Sequence, residues 1–264
     1  PLIILLIVTF LAYMSQRTTL AYEKMHRGVD GRKRVDIYIV LLILFLILLV
    51  GLRTDYNDTA TYIKGFEDSD TIDIFFKNPK NLNLMHNPLF YGFQALIRTY
   101  TSNYSVFFIV CAGIVNILSI RFIKRNANSN DFAFSIFLYA TLGLLTFSIA
   151  AQKQILAMAV LTLALTALFE KKYIKYYLIV FIAGLIHTYA WLFLFLPLLD
   201  CQIWSIRTYI LLIITVFIMY TFKDAISSFI AIADQIGKSI SLEESFTGNQ
   251  MNIFRVMVYA VEPI

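Results

Sequence analysis

The chain has 264 residues, of which 59% are hydrophobic and only 15% charged, with a mean hydropathy of +0.72. Soluble globular chains carry about 25% charged residues, so this balance excludes a soluble enzyme and points to an integral membrane protein. The net charge of +5 does not indicate nucleic acid, because Lys and Arg gather in short loops between apolar runs, as they do in membrane proteins.

Taken in chain order, the apolar segments are Leu2–Met14, Ile37–Leu52, Tyr104–Phe122, Phe132–Ala150, Ile155–Phe169, Tyr177–Leu199, Thr208–Phe222 and Met251–Ile264. They predict an all-α polytopic bundle of about eight transmembrane or re-entrant segments, forming a single membrane domain over residues 1–264. Residues 1–14 lack a basic n-region and a small-residue cleavage site, so they do not read as a signal peptide. The chain opens on Pro1 and stops inside an apolar segment at Glu262-Pro263-Ile264, which suggests a fragment truncated at both ends. Cys111 and Cys201 form neither a disulfide framework nor a metal-ligand cluster, and no metal or cofactor is expected.

The loops carry the orientation. Residues 16–36 hold six basic and three acidic residues, a net of +3. Residues 121–131 and 170–176 are each net +2, whereas residues 53–103 hold five basic and six acidic residues, net −1. The positive-inside rule puts the first three in the cytoplasm and the fourth outside, and these assignments alternate correctly across the intervening spans. Residues 223–250 are net −2, which favours the outside and requires the chain to turn near Gly184–His187. Each half of that turned segment would reach only ~15 Å, so the pair must be buried against other helices.

Polar interruptions of the apolar runs are the candidate chemistry. Arg53 and Asp55 open the first outer loop, with Tyr56 beside them and Tyr62 further along a short helix. Such a pair can hold an anionic head group and position a proton acceptor, or it can be an interfacial arginine next to solvated acids. Asn87 can cap a helix that Pro88 begins. Leu89, Phe90, Phe93, Leu96, Ile97 and Tyr100 then fall on one face, as in a helix lying along the membrane interface. Gln152-Lys153-Gln154 breaks an apolar block, either as a plain turn or as a site in a wet cavity. His187 is the titratable group of its block, and an ionisable residue within a membrane segment suggests function. Arg255, early in the last segment, serves as a further cation or snorkels to the interface.

These pieces, in this order, resemble the EpsG-like (Wzy-type) family of bacterial exopolysaccharide and O-antigen polymerases. The resemblance rests on Asp55-Tyr56 with Tyr62 following, Pro88-Leu89-Phe90-Tyr91, Lys153-Gln154-Ile155-Leu156-Ala157, Ala183 with His187 and Pro197, and Arg255. Lys153 stands where the family usually has Arg, which keeps the charge but loses the planar fork. The resemblance implies a GT-C-like membrane glycosyltransferase in the bacterial cytoplasmic membrane. It would polymerise undecaprenyl-pyrophosphate-linked oligosaccharide repeat units at the outer face, alongside a flippase and a chain-length regulator. His187 or Asp55 would act as catalytic base, while Arg53, Tyr56, Tyr62, Lys153, Gln154 and Arg255 would bind substrate. The competing class is a flippase or another multi-span transporter, whose usual paired broken helices or repeats are not evident in the sequence.

Overall fold

A computed structural model describes residues 2–25, 36–199 and 205–221. The expected Met251–Ile264 segment, Arg255, Cys201 and the 223–250 loop lie outside the described residues. Residues 1–197 form one compact unit and residues 198–264 a second. Within the second, α11 (Ile206–Thr221) starts where the Ser205 hydroxyl accepts from the Thr208 N–H at 3.3 Å, a side-chain cap.

In the first unit the regular elements are all helical among the described residues. Helix α1 (Leu2–Met25) runs well past the apolar stretch that announces it. Helix α2 (Ile37–Gly51) is capped by Asp36, whose carboxylate accepts from the N–H groups of Tyr38 and Ile39 at 3.0 and 3.4 Å. Short helices α3 (Thr59–Glu67), α4 (Ile72–Lys77) and α5 (Pro88–Tyr100) fold the long loop into a small helical body. Then come α6 (Tyr104–Asn126), α7 (Phe132–Thr141), α8 (Leu144–Ala150), α9 (Gln152–Phe169) and α10 (Tyr173–Ile186).

Among the described residues, three helical segments are long and apolar enough to cross a membrane: Leu2–Lys24, Tyr104–Asn126 and Gln152–Phe169. The pair α7 and α8, bent by 47°, makes a fourth if it is one span. The bend replaces the unbroken segment expected over Phe132–Ala150. Its cause is local: Gly143 sits at φ +89, a conformation that L side chains rarely adopt. Helices α2 and α10 are shorter apolar helices, yet both expose apolar side chains, Leu44 and Leu48 on one and Leu178, Phe181 and Ile182 on the other. Exposed apolar faces of this kind suit hydrocarbon better than water.

Where two helices meet, small residues let the backbones approach. A Cβ added to Gly51 would lie 2.8 Å from the Ile109 Cα, so α2 and α6 cross at a distance that only glycine permits. On α9, Ala157, Ala164 and Ala167 are buried in the same apolar cluster as Val180 and Ala183 of α10.

The three positively charged loops gather at one end of the unit. Lys124 reaches Asp36 at 3.8 Å, Arg125 pairs with Glu170, and the Ser129 hydroxyl donates to Glu23 at 2.7 Å. Gln16 clamps the start of α7, donating to the Asn130 carbonyl at 2.6 Å and accepting from the Ala133 N–H at 2.8 Å. The helical body of α3 to α5 lies at the opposite end. The alternation inferred from charge counts is thus also the alternation of ends.

After Ile186 the chain reverses. His187 is extended (φ −150, ψ 122), and a 3₁₀ stretch, Thr188–Leu199, follows. Trp191 packs edge-on against Phe181 with centroids 5.3 Å apart, and the Tyr176 hydroxyl donates to the Phe193 carbonyl. Later residues meet progressively earlier ones, so the stretch runs back alongside α10. Gly184 makes room for it, since a Cβ there would lie 2.5 Å from the Trp191 ring. This is the turn expected near Gly184–His187.

Candidate functional site

The end opposite the basic loops holds the candidate site, built where α2 stops and α9 starts. Arg53 follows the last turn of α2, and its side chain turns inward to 8% exposure. Its guanidinium donates to the Val50 carbonyl at 2.8 Å, to the Thr59 hydroxyl at 3.3 Å and to the Gln152 side-chain oxygen. It lies 4.3 Å from the Phe108 ring centroid, a cation–π contact. One side chain therefore ties α2, α3, α6 and α9 together. Burial holds the Arg53 pKa below its ordinary value.

Lys153, in the first turn of α9, is equally sequestered at 7% exposure. Its ammonium donates to the Tyr91 hydroxyl at 3.2 Å and sits 4.9 Å from the Tyr91 ring centroid and 5.5 Å from that of Phe90. Its backbone N–H donates to the Tyr62 hydroxyl at 3.4 Å. Burial pushes the Tyr62 phenol up to about 12, and the nearby charge of Asp58 adds to the shift. Among the described residues neither cation has a carboxylate within ion-pair distance. Gln152 is 2% exposed, and its amide nitrogen has no hydrogen-bond partner among the described residues. The Cys111 thiol, 1% exposed, lies beside this amide.

Two buried cations with unspent donors stand at the first turn of an 18-residue helix, where the dipole is positive. Arg carries five donors and Lys three, and the protein uses three of the first and one of the second. The arrangement has the chemistry of an anion site. It takes a multiply charged oxyanion better than a single carboxylate, since it offers two charges at adjacent positions.

His187 joins from the other side. Its N–H donates to the Ala183 carbonyl at 2.9 Å, its half-buried ring meets Tyr189 edge-on at 5.1 Å, and the next residue is pinned. The N–H and hydroxyl of Thr188 donate to the Asn87 side-chain oxygen at 2.9 and 3.0 Å. Asn87 does occupy the residue before α5, but its side chain makes no cap. It adopts a left-handed conformation (φ 53, ψ 53) and spends its amide on the segment 101 residues away. One turn into α5, Tyr91 reaches Lys153. Helix α5 thereby connects the His187 turn to the start of α9.

The other expected site residues divide. Arg53, Tyr62 and Lys153 converge. Gln154 is half-buried one residue beyond, outside this hydrogen-bond network. Asp55 does not pair with Arg53: its carboxylate is exposed and accepts from the Tyr56 N–H at 2.8 Å. Tyr56 is 48% exposed at φ 127, and Asn57 beside it sits at φ 46, so the loop after Arg53 is strained. Its strain is anchored by Thr59, whose N–H and hydroxyl both donate to the Tyr56 carbonyl, at 3.0 and 2.6 Å. Gln152, Tyr91 and Asn87 carry as much of the geometry as the expected residues. Helix α5 also departs from a flat interfacial helix, because Phe90, Gln94 and Ala95 are buried while Leu89, Leu96 and Tyr100 remain exposed. Among the described residues no cluster of three or more His, Cys, Asp or Glu side chains could hold a metal ion.

The chain matches the model of the EpsG family over residues 36–260. No curated protein and no solved structure matches the chain.

Proposed function

The chain belongs to the EpsG family, a family that suggests polysaccharide-polymerising membrane proteins, and from that premise we propose that it polymerises lipid-linked oligosaccharide repeat units. The substrate we assign is an undecaprenyl-pyrophosphate-linked glycan, and the working face is the outer side of the cytoplasmic membrane. The enzyme would be an integral-membrane glycosyltransferase of the GT-C-like kind. The observation that carries this reading is the Arg53–Gln152–Lys153 cluster: two buried cations and an amide nitrogen at one helix start, with neither a carboxylate for the cations nor a partner for the amide among the described residues. Uncompensated buried charge is costly, and a pyrophosphate ester supplies the missing negative charge.

In the step itself, the hydroxyl oxygen of the acceptor sugar forms a bond to C1 of the growing glycan. The bond between C1 and the pyrophosphate oxygen breaks, and the electron pair leaves with undecaprenyl pyrophosphate. Arg53 and Lys153 hold the departing oxyanion, which gains charge as the bond breaks. The acceptor proton goes to a base, for which we assign His187. His187 is tied into the cluster through Thr188 and Asn87, whereas the Asp55 carboxylate is turned to its own backbone.

Deletion of the gene in its host tests the reading against a transporter. A polymerase leaves single lipid-linked repeat units accumulating at the outer face, with no long polymer. Repeat units trapped on the cytoplasmic side would instead identify a flippase and refute the assignment.

A further inference from the structure

Helices α3, α4 and α5 enclose a cleft of about 520 Å³ beside the cation pair, inside the roughly 300–1,000 Å³ range of small-molecule sites. Its walls are fixed by ties between side chains and main chain: the Ile72 N–H donates to the Thr99 hydroxyl at 3.0 Å, and the Asn81 side-chain amide donates to the Phe75 carbonyl at 3.1 Å. The described lining residues include Asp68, Asp70, Asn81 and Gln94 with the ring of Phe75, and none of them is Lys or Arg. Gln94 is 2% exposed, yet its side-chain oxygen has no hydrogen-bond partner among the described residues. A buried acceptor is rarely left unsatisfied, so this one calls for a donor from a ligand.

The chemistry selects the class. Two carboxylates against one histidine, His86, with no Lys or Arg disfavour phosphate, and the mixture of amides and acids with an aromatic ring suits a molecule with many hydroxyls and an apolar face. Tyr91 links the two sites, since it lines the cleft while its hydroxyl accepts from Lys153. We propose that this cleft binds the uncharged sugar residues of the lipid-linked glycan, with Gln94 accepting from a sugar hydroxyl and the pyrophosphate held next door by Arg53 and Lys153. The inference rests on the polymerase reading and adds to it a separate sugar subsite.

The test uses the full-length protein in nanodiscs and two probes. One is the repeat-unit oligosaccharide cut from its lipid and stripped of phosphate; the other is undecaprenyl pyrophosphate carrying no sugar. Gln94→Leu removes the acceptor. Gly65→Phe fills the cleft and serves as a second variant that should fold, because a Cβ there meets only the Gln94 amide nitrogen at 3.8 Å, an ordinary contact. Both should weaken the oligosaccharide roughly tenfold or more while leaving undecaprenyl pyrophosphate within about twofold of wild type. Lys153→Met should give the reverse pattern. Unchanged oligosaccharide affinity in Gly65→Phe would overturn the cleft assignment, and the polymerase reading would survive if pyrophosphate binding still depended on Lys153. Oligosaccharide binding that depends on the cleft, with no binding of undecaprenyl pyrophosphate, would sustain the cleft and sink that reading.

Discussion

Replacing Lys153 with Met separates function from stability and gives the reasoning its sharpest test. The substitution keeps an unbranched side chain, one atom shorter, and removes its charge. What the fold loses is one charged hydrogen bond to the Tyr91 hydroxyl at 3.2 Å, about 1.5–3 kcal/mol, and two cation–π contacts at 4.9 and 5.5 Å, together on the order of 1–2 kcal/mol. What it gains is relief from holding an ammonium at 7% exposure with no described carboxylate nearby, a penalty of several kcal/mol per ion. The Tyr91 hydroxyl is not stranded, because Tyr91 is 41% exposed. The terms nearly cancel, so the melting temperature should stay within a few degrees of wild type or rise slightly; one kcal/mol corresponds to roughly 2–4 °C in a chain of this size. Activity should fall by about 10²–10³, the usual loss when one preorganised charge partner of a developing oxyanion is removed. Thermal melts in nanodiscs, paired with polymer elongation followed on gels, read both quantities. A variant that melts well below wild type yet still elongates polymer would show Lys153 to be a structural cation and refute the anion-site argument.

Three further outcomes follow from the geometry. Gly184→Leu drives a side chain into the Trp191 ring, where even a Cβ would lie at 2.5 Å; overpacking of this kind costs about 1–3 kcal/mol and should appear as a lower melting temperature, whereas unchanged melting would argue against the chain reversal at His187. The Tyr62 phenol titrates at about 12 when folded, above its ordinary value of 10.0, so its contribution to stability is complete below pH 10 and is lost as pH rises towards 12. Tyr62→Phe should flatten the alkaline limb of melts taken between those values. For sidedness, single cysteines at the exposed positions Asn83 and Asn130, in a chain cleared of Cys111 and Cys201, should differ: an impermeant maleimide applied to whole cells should label only the first, and labelling of the second would invert the topology.

The large-scale plan was legible because it is written in charge and hydropathy. Apolar blocks marked α2, α6 and α9, and loop charges sorted their ends correctly. The bend at Gly143 escaped notice because a single glycine in an apolar run is compatible with a straight helix. The reversal at His187 was readable only through the charge of a distant loop, since the local signal, a glycine opposite a tryptophan seven residues later, depends on the fold already formed. Site residues split along a similar line. Arg53 and Lys153 stand out as cations among apolar neighbours, while Gln152, neutral, is marked only as part of a triplet that reads equally as turn or site. Asn87 signalled a cap because local spacing suggests the nearest partner, but its amide goes to Thr188, 101 residues away. Arg53 and Asp55 read as one head-group and proton-acceptor pair or as an interfacial arginine beside solvated acids, and the strained backbone at Tyr56 and Asn57 accompanies one side chain turned inward and the other outward.

Cys111 gives the cluster a gauge of its own. Its thiol is 1% exposed beside Gln152 in the packed core that α6 shares with α9. A reagent attacks it only in those moments when the packing loosens. With Cys201 replaced by Ser, the ratio of its modification rate to that of a free thiol measures how rarely the region opens, as hydrogen exchange does for amides. The same clock, run with and without lipid-linked substrate, reports whether filling the anion site latches the helices shut.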